Sequence, residues 1–158
     1  MLASVVTVAF EGVDARRVDV QVSQLSAQEG SFTLVGLADK AVAESRERVR
    51  GAFGGIGLAL PSRRVIVNLA PADLPKEGSH FDLPIALALL ASMGVIPPDA
   101  LAGWAAVGEL GLDGQIAPVG GTLPAHAASG PLASGQIRPS PMASAATAAG
   151  RVPPTGAI

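Results

Sequence analysis

Arg63-Arg64-Val65-Ile66-Val67-Asn68-Leu69-Ala70-Pro71-Ala72-Asp73-Leu74-Pro75-Lys76-Glu77-Gly78-Ser79-His80-Phe81-Asp82-Leu83-Pro84 is the stretch on which the fold turns. Its first part alternates β-branched and apolar residues, Val65 to Leu69, and reads as a strand. Its proline-rich second part reads as a turn. Beyond it, Leu83 to Met93 runs Ile85, Ala86, Leu87, Ala88, Leu89, Leu90, Ala91 without a polar face, the pattern of a helix buried on all sides. Pro84 falls in the first turn, where an amide hydrogen has no helical partner, and Gly94 is placed to stop the helix. Asp82 is expected to cap its start.

Outward from this stretch the periods change in order. Val5 to Phe10, Val18 to Leu25 and Phe32 to Val35 alternate as strands, and the natural reading of the three is an antiparallel meander. From Ala38 to Phe53, the residues Ala38, Val42, Ser45, Val49 and Phe53 share one helical face, with Lys40, Glu44, Glu47 and Arg48 opposite and Gly54-Gly55 as the stop. Ala105 to Leu110 and Gln115 to Val119 read as strands joined at Asp113-Gly114, a turn that wants positive φ, and Gly120-Gly121 leads to a short helix. After about Ala125 the text becomes Ala, Ser and Gly punctuated by Pro139, Pro141, Pro153 and Pro154. Such sequence buries too little to order itself. The expected division is one domain over 1–125 and a disordered or frameshifted Ala/Pro/Ser-rich tail over 126–158. The element order predicts an α+β fold, an α/β sandwich whose mixed sheet carries two main helices.

Composition narrows the function. In 158 residues 49% are hydrophobic but only 3% aromatic, so the core must be Ala, Val, Leu and Ile, and base stacking on aromatic platforms has almost no residues to use. No cysteine is present, which removes thiolate metal ligands and a Cys nucleophile and suits a cytoplasmic setting. Two histidines, His80 and His126, make a zinc site unexpected. A formal charge of −2 gives no global attraction to nucleic acid. The longest apolar run is too short to span a bilayer, so no membrane partner is expected.

Five segments carry a family resemblance: Val35-Gly36-Leu37-Ala38-Asp39-Lys40-Ala41-Val42, Glu44-Ser45-Arg46-Glu47-Arg48-Val49-Arg50, Val67 to Gly78, Phe81-Asp82-Leu83-Pro84-Ile85-Ala86 and Val107-Gly108-Glu109-Leu110. Over roughly Met1 to Ala125 the chain resembles the N-terminal domain of the YifB/ComM family of Mg-chelatase-like AAA+ ATPases. The resemblance implies a ribosomal-protein-S5-domain-2-like fold shared with the Lon protease domain. It also implies a neighbouring hexameric AAA+ motor using ATP and Mg, and DNA branch migration in natural transformation. No Gly-x-x-x-x-Gly-Lys-Ser/Thr loop occurs in the 158 residues, so none of them can cradle a triphosphate in that way. No cofactor is therefore expected for this chain.

The Lon likeness raises a peptidase. Lon-type serines follow a Pro-Lys-Asp-Gly-Pro-Ser turn and are activated by a lysine. Here Pro75-Lys76-Glu77-Gly78 matches the lead-in, but the serine position is His80, with Ser79 one place early, and the lysine position falls at Leu123. Leucine takes no proton, so the expected reading is non-catalytic. Ser79 paired with His80 or Lys76 remains a weak candidate nucleophile beside its reading as a cap or turn residue. Asp73, Glu77 and Asp82 read as caps and loop solvation rather than as a metal cluster. For DNA or a partner, the candidates are Arg63, Arg64 and Lys76 along a sheet edge, and Arg46 and Arg50 flanking the apolar face of the first helix. The leading expectation is a non-catalytic accessory domain, separated from its motor, that contacts DNA, a partner or sister subunits. The alternatives are a diverged Lon-like serine peptidase using Ser79, or an inactive gene remnant.

Overall fold

A computed structural model describes residues 2–12, 14–117 and 119. Among these residues six strands and two helices run β1 (Leu2–Glu11), β2 (Asp14–Leu25), β3 (Ser31–Val35), α1 (Asp39–Gly55), β4 (Arg64–Ala70), α2 (Asp82–Ser92), a 3₁₀ turn (Pro98–Leu101), β5 (Glu109–Leu110) and β6 (Ile116–Ala117). The expected α+β fold is what forms: a four-stranded mixed sheet with two helices.

The meander expected for the first three strands does not form. The sheet order is β1-β2-β4-β3, with β1 antiparallel to β2, β2 antiparallel to β4, and β3 parallel to β4. Alternation announces that a strand has one buried face but not which strand lies beside it. The segment between β3 and β4 contains α1, and a helix of that length is the crossover that a parallel pair requires. β4 therefore enters between β2 and β3, bonded on both sides, with Val65, Val67 and Leu69 buried on one face.

That face is the core. Val5, Val18, Val20, Val22, Val65, Val67 and Leu69 from the sheet meet Val49 and Phe53 of α1, and Ile85 and Leu89 of α2, all within one cluster. Burying each such side chain stabilises the fold by roughly 1.5–3 kcal/mol, so an aliphatic core of this size needs few aromatics.

The outer edge of β1 is closed by two loops. Ala106 N–H donates to Val6 O at 2.9 Å, beside a parallel bridge between Val6 and Ala105, and His80 bonds Val8 O. The expected strand Ala105 to Leu110 is reduced to that bridge and β5. Its hairpin partner is β6, and the Asp113-Gly114 turn forms as expected, with Gly114 at φ +82°. The tip of this hairpin lies against α1: a Cβ on Gly55 would stand 2.8 Å from Leu112 O and 2.9 Å from Asp113 C. Among the described residues no helix is long and apolar enough to cross a membrane. The short helix expected after Gly121, His126, and the tail over 126–158 lie outside the described residues.

Candidate functional site

The turn between β4 and α2 is built around a buried lysine. Lys76 is 3% exposed, and its Nζ donates to the carbonyls of Pro71 and Leu74, the latter at 3.0 Å. Burial lowers its pKa below the ordinary lysine value, with Asp73 opposing. Gly78 follows at φ +94°, a conformation open to glycine, and a Cβ there would lie 3.1 Å from His80 Nδ1. The chain then turns into α2 through an Asp82 N–H to Ser79 O bond of 3.1 Å.

The His80 ring is engaged by the backbone of β1. Its Nε2 is 2.9 Å from Val8 O, and since a carbonyl only accepts, Nε2 carries the hydrogen. The ring is flanked by Phe10 and Phe81, at centroid distances of 4.9 and 4.1 Å. Burial lowers its pKa, opposed by the bond to Val8 and the charge of Asp82.

The Ser79 hydroxyl donates to Glu109 Oε2. Glu109 is brought there by a backbone zipper in which Gly108 N–H bonds His80 O and Leu83 N–H bonds Gly108 O, both at 3.0 Å. A carboxylate is a much weaker base than the imidazole or neutral amine that ordinarily activates a serine. Among the described residues the recorded bonds of Ser79 and Lys76 do not join them as a Ser-Lys pair.

Asp82 does not cap α2 as expected. The cap position is Phe81, without a side-chain bond, and Asp82 is fully buried as the first helical residue. Its carboxylate accepts from Ser45 Oγ at 2.7 Å, from Arg48 Nε at 2.5 Å and Nη2 at 3.2 Å, and from Leu110 N–H at 3.3 Å. One carboxylate thus ties α1, the start of α2 and β5. Its place at a helix N-terminus is also favourable to negative charge. Arg48, expected on the outer polar face of α1, instead reaches inward, with 22% of its side chain exposed and Glu44 3.7 Å away. Its pKa is raised chiefly by the Asp82 bond, against the cost of burial.

The other candidates scatter. Arg63 and Arg64 are exposed where β4 begins, while Lys76 is buried beyond its far end and presents no charge to solvent. The strip expected along a sheet edge does not form, because β4 is an inner strand bonded on both sides; what remains is two arginines where that strand begins. Arg50 is exposed and lies 3.5 Å from Glu47. Arg46 is half-buried, with a buried Nε that has no partner among the described residues. Sequence reasoning did not single out Ser45, Arg48 and Glu109 as partners of this site. The available signal was that three of the five segments carrying the resemblance, around Ser45, Asp82 and Glu109, meet at this one cluster.

Comparison with known proteins places the chain in a family. The family model for subunit ChlI of Mg-chelatase matches residues 18–139. Competence protein ComM of Haemophilus influenzae is 46% identical over 124 residues, covering 78% of this chain and 24% of ComM. YifB of Salmonella typhimurium and YifB of Escherichia coli are each 43% identical over 122 residues, covering 77% of this chain and 24% of YifB. The chain thus spans about a quarter of the length of the curated relatives it matches. With a family match over most of its length and this identity to ComM and YifB, the chain belongs to the YifB/ComM family of Mg-chelatase-like AAA+ ATPases.

Proposed function

We propose that residues 1–125 act as the N-terminal accessory domain of a ComM/YifB-type ATPase: a non-catalytic scaffold that docks DNA, a partner protein or sister subunits beside the motor. The observation that carries this reading is the engagement of the would-be catalytic groups. The Ser79 hydroxyl is spent on Glu109, the Lys76 ammonium on two carbonyls, and the His80 ring on Val8. A nucleophile without a competent base loses several orders of magnitude in rate.

In this reading the chain uses no cofactor, and ATP and Mg serve the family's motor. The setting is cytoplasmic, and the process is the DNA processing suggested by the description of ComM as a competence protein. Arg63 and Arg64 are the candidate phosphate contacts, with Arg46 and Arg50 facing a partner or a sister subunit.

The test is to incubate the purified chain with unfolded casein and a fluorophosphonate probe. The expected result is neither cleavage nor labelling. Labelling and cleavage that both vanish in Ser79→Ala overturn the reading in favour of a peptidase. DNA contact is read from binding at two salt concentrations, where Arg63→Ala/Arg64→Ala should lower the salt slope by about two. An unchanged slope removes the arginines and leaves protein docking.

A further inference from the structure

A helix apolar on every side ordinarily has every side covered. Among the described residues α2 does not: Leu83, Leu87 and Leu90, spaced i, i+4, i+7, are only partly buried and line an open groove of about 560 Å³. Ile56, 38% exposed, and Val95, 49% exposed, line the same groove. The three leucines span about 10 Å of helix, enough to seat two or three turns of another helix.

The charge around this apolar floor is one-sided. No Lys or Arg is among the described residues lining it, while Asp113 is. The C-terminal ends of α1, at Gly55 and Ile56, and of α2, near Leu90, also border it, and neither helix has a basic residue in its last turn. Asp113 thus sets the charge at the rim, and the two helix ends, their last carbonyls capped by the amides of Ile56 to Leu58 and of Met93 to Ile96, add the weaker negative pole of each helix beside it. Such a rim repels DNA and acidic peptides and complements ammonium and guanidinium groups.

We infer that this groove receives an amphipathic helical segment of a partner protein, its apolar stripe on Leu83, Leu87 and Leu90 and its flanking Lys/Arg residues against Asp113 and the two helix ends. The inference deepens the docking reading above by giving it a surface and a partner chemistry.

The probe is a fluorescein-labelled 14-residue helical Leu/Lys peptide, titrated with the full chain and followed by anisotropy, beside a Leu/Glu peptide of the same pattern. The Leu/Lys peptide should bind saturably at one per chain, and the Leu/Glu peptide about tenfold or more weaker. Ile56→Lys/Val95→Lys, which alters exposed positions, should weaken Leu/Lys binding about tenfold. Asp113→Asn, which keeps the turn acceptor, should weaken it about two- to threefold and reduce its salt dependence. Equal binding of the two peptides, no binding, or indifference to both variants overturns the inference. So does a chain dimer dispersed by Ile56→Lys/Val95→Lys, which assigns the groove to a second copy. A photo-crosslinker at position 95 that captures residues beyond 119 of its own chain assigns the groove to the tail and overturns it equally. Probe labelling of Ser79 would defeat the non-catalytic reading without touching the groove, and peptide indifference would defeat the groove alone.

Discussion

Removing the carboxylate of Asp82 should be among the most damaging single changes in this domain. Asp82 is fully buried and takes four hydrogen bonds from Ser45, Arg48 and Leu110. Asp82→Ala leaves the Arg48 guanidinium, the Ser45 hydroxyl and an amide without their acceptor. Breaking a buried ion pair from one side costs about 3–5 kcal/mol. Arg48 keeps 22% of its side chain in contact with solvent and can swing toward water or Glu44, so the lower end, about 3 kcal/mol, is expected. With a urea slope of about 1.5 kcal/mol/M for a domain of this size, the unfolding midpoint followed by circular dichroism should fall by about 2 M. Arg48→Met should also destabilise. Arg48→Met/Asp82→Leu should be less damaging than Asp82→Ala by at least about 1 kcal/mol, because both charges leave together. A loss below about 1 kcal/mol for Asp82→Ala refutes the argument. So does a double variant whose loss equals the sum of the singles within about 0.5 kcal/mol, since the carboxylate would then not be the tie between α1, α2 and β5.

Two further outcomes follow from local geometry. His80 has a pKa lowered by burial from 6.5, so the unfolded chain binds its proton first. Its contribution is intact above about pH 6.5 and is lost progressively as pH falls from there through the folded value. Unfolding free energies measured between pH 8 and 5 should show this decline, and His80→Gln should flatten it; an unchanged slope in that variant assigns the decline to other groups. On α1, Gly54→Ala meets nothing within 4 Å and should raise stability by about 0.5–1 kcal/mol, whereas Gly55→Ala drives a Cβ into the backbone at Leu112 and Asp113 and should lower it by about 1–3 kcal/mol. Thermal melts in which both variants move the same way contradict the close approach of hairpin and helix.

Much of the fold is legible in the order of residues. The alternation of Val65, Val67 and Leu69 marks β4 with its buried face, the unbroken run after Leu83 marks α2, and Asp113-Gly114 marks the hairpin, because each signal lies within a few residues. The scarcity of aromatics also foretold an aliphatic core; the core observed is mainly aliphatic, but Phe32, Phe53 and Phe81 are buried in it as well. The engaged state of the serine was not legible. Lys76 looked like a surface charge because nothing in Pro75-Lys76-Glu77 marks it as folded back on Pro71 and Leu74.

The sequence by itself determined where the four strands of the main sheet and the two helices lie and which residues form their apolar faces, though the strand read over Ala105 to Leu110 shrank to a bridge and two residues. The tertiary structure decided that β4 lies between β2 and β3, that Asp82 faces Arg48 rather than the end of its own helix, and that Ser79 meets Glu109. Those partners stand 34 and 30 residues apart. Period and turn chemistry act over a handful of neighbours, whereas a buried charge is satisfied by whatever group the packing of distant elements delivers to it.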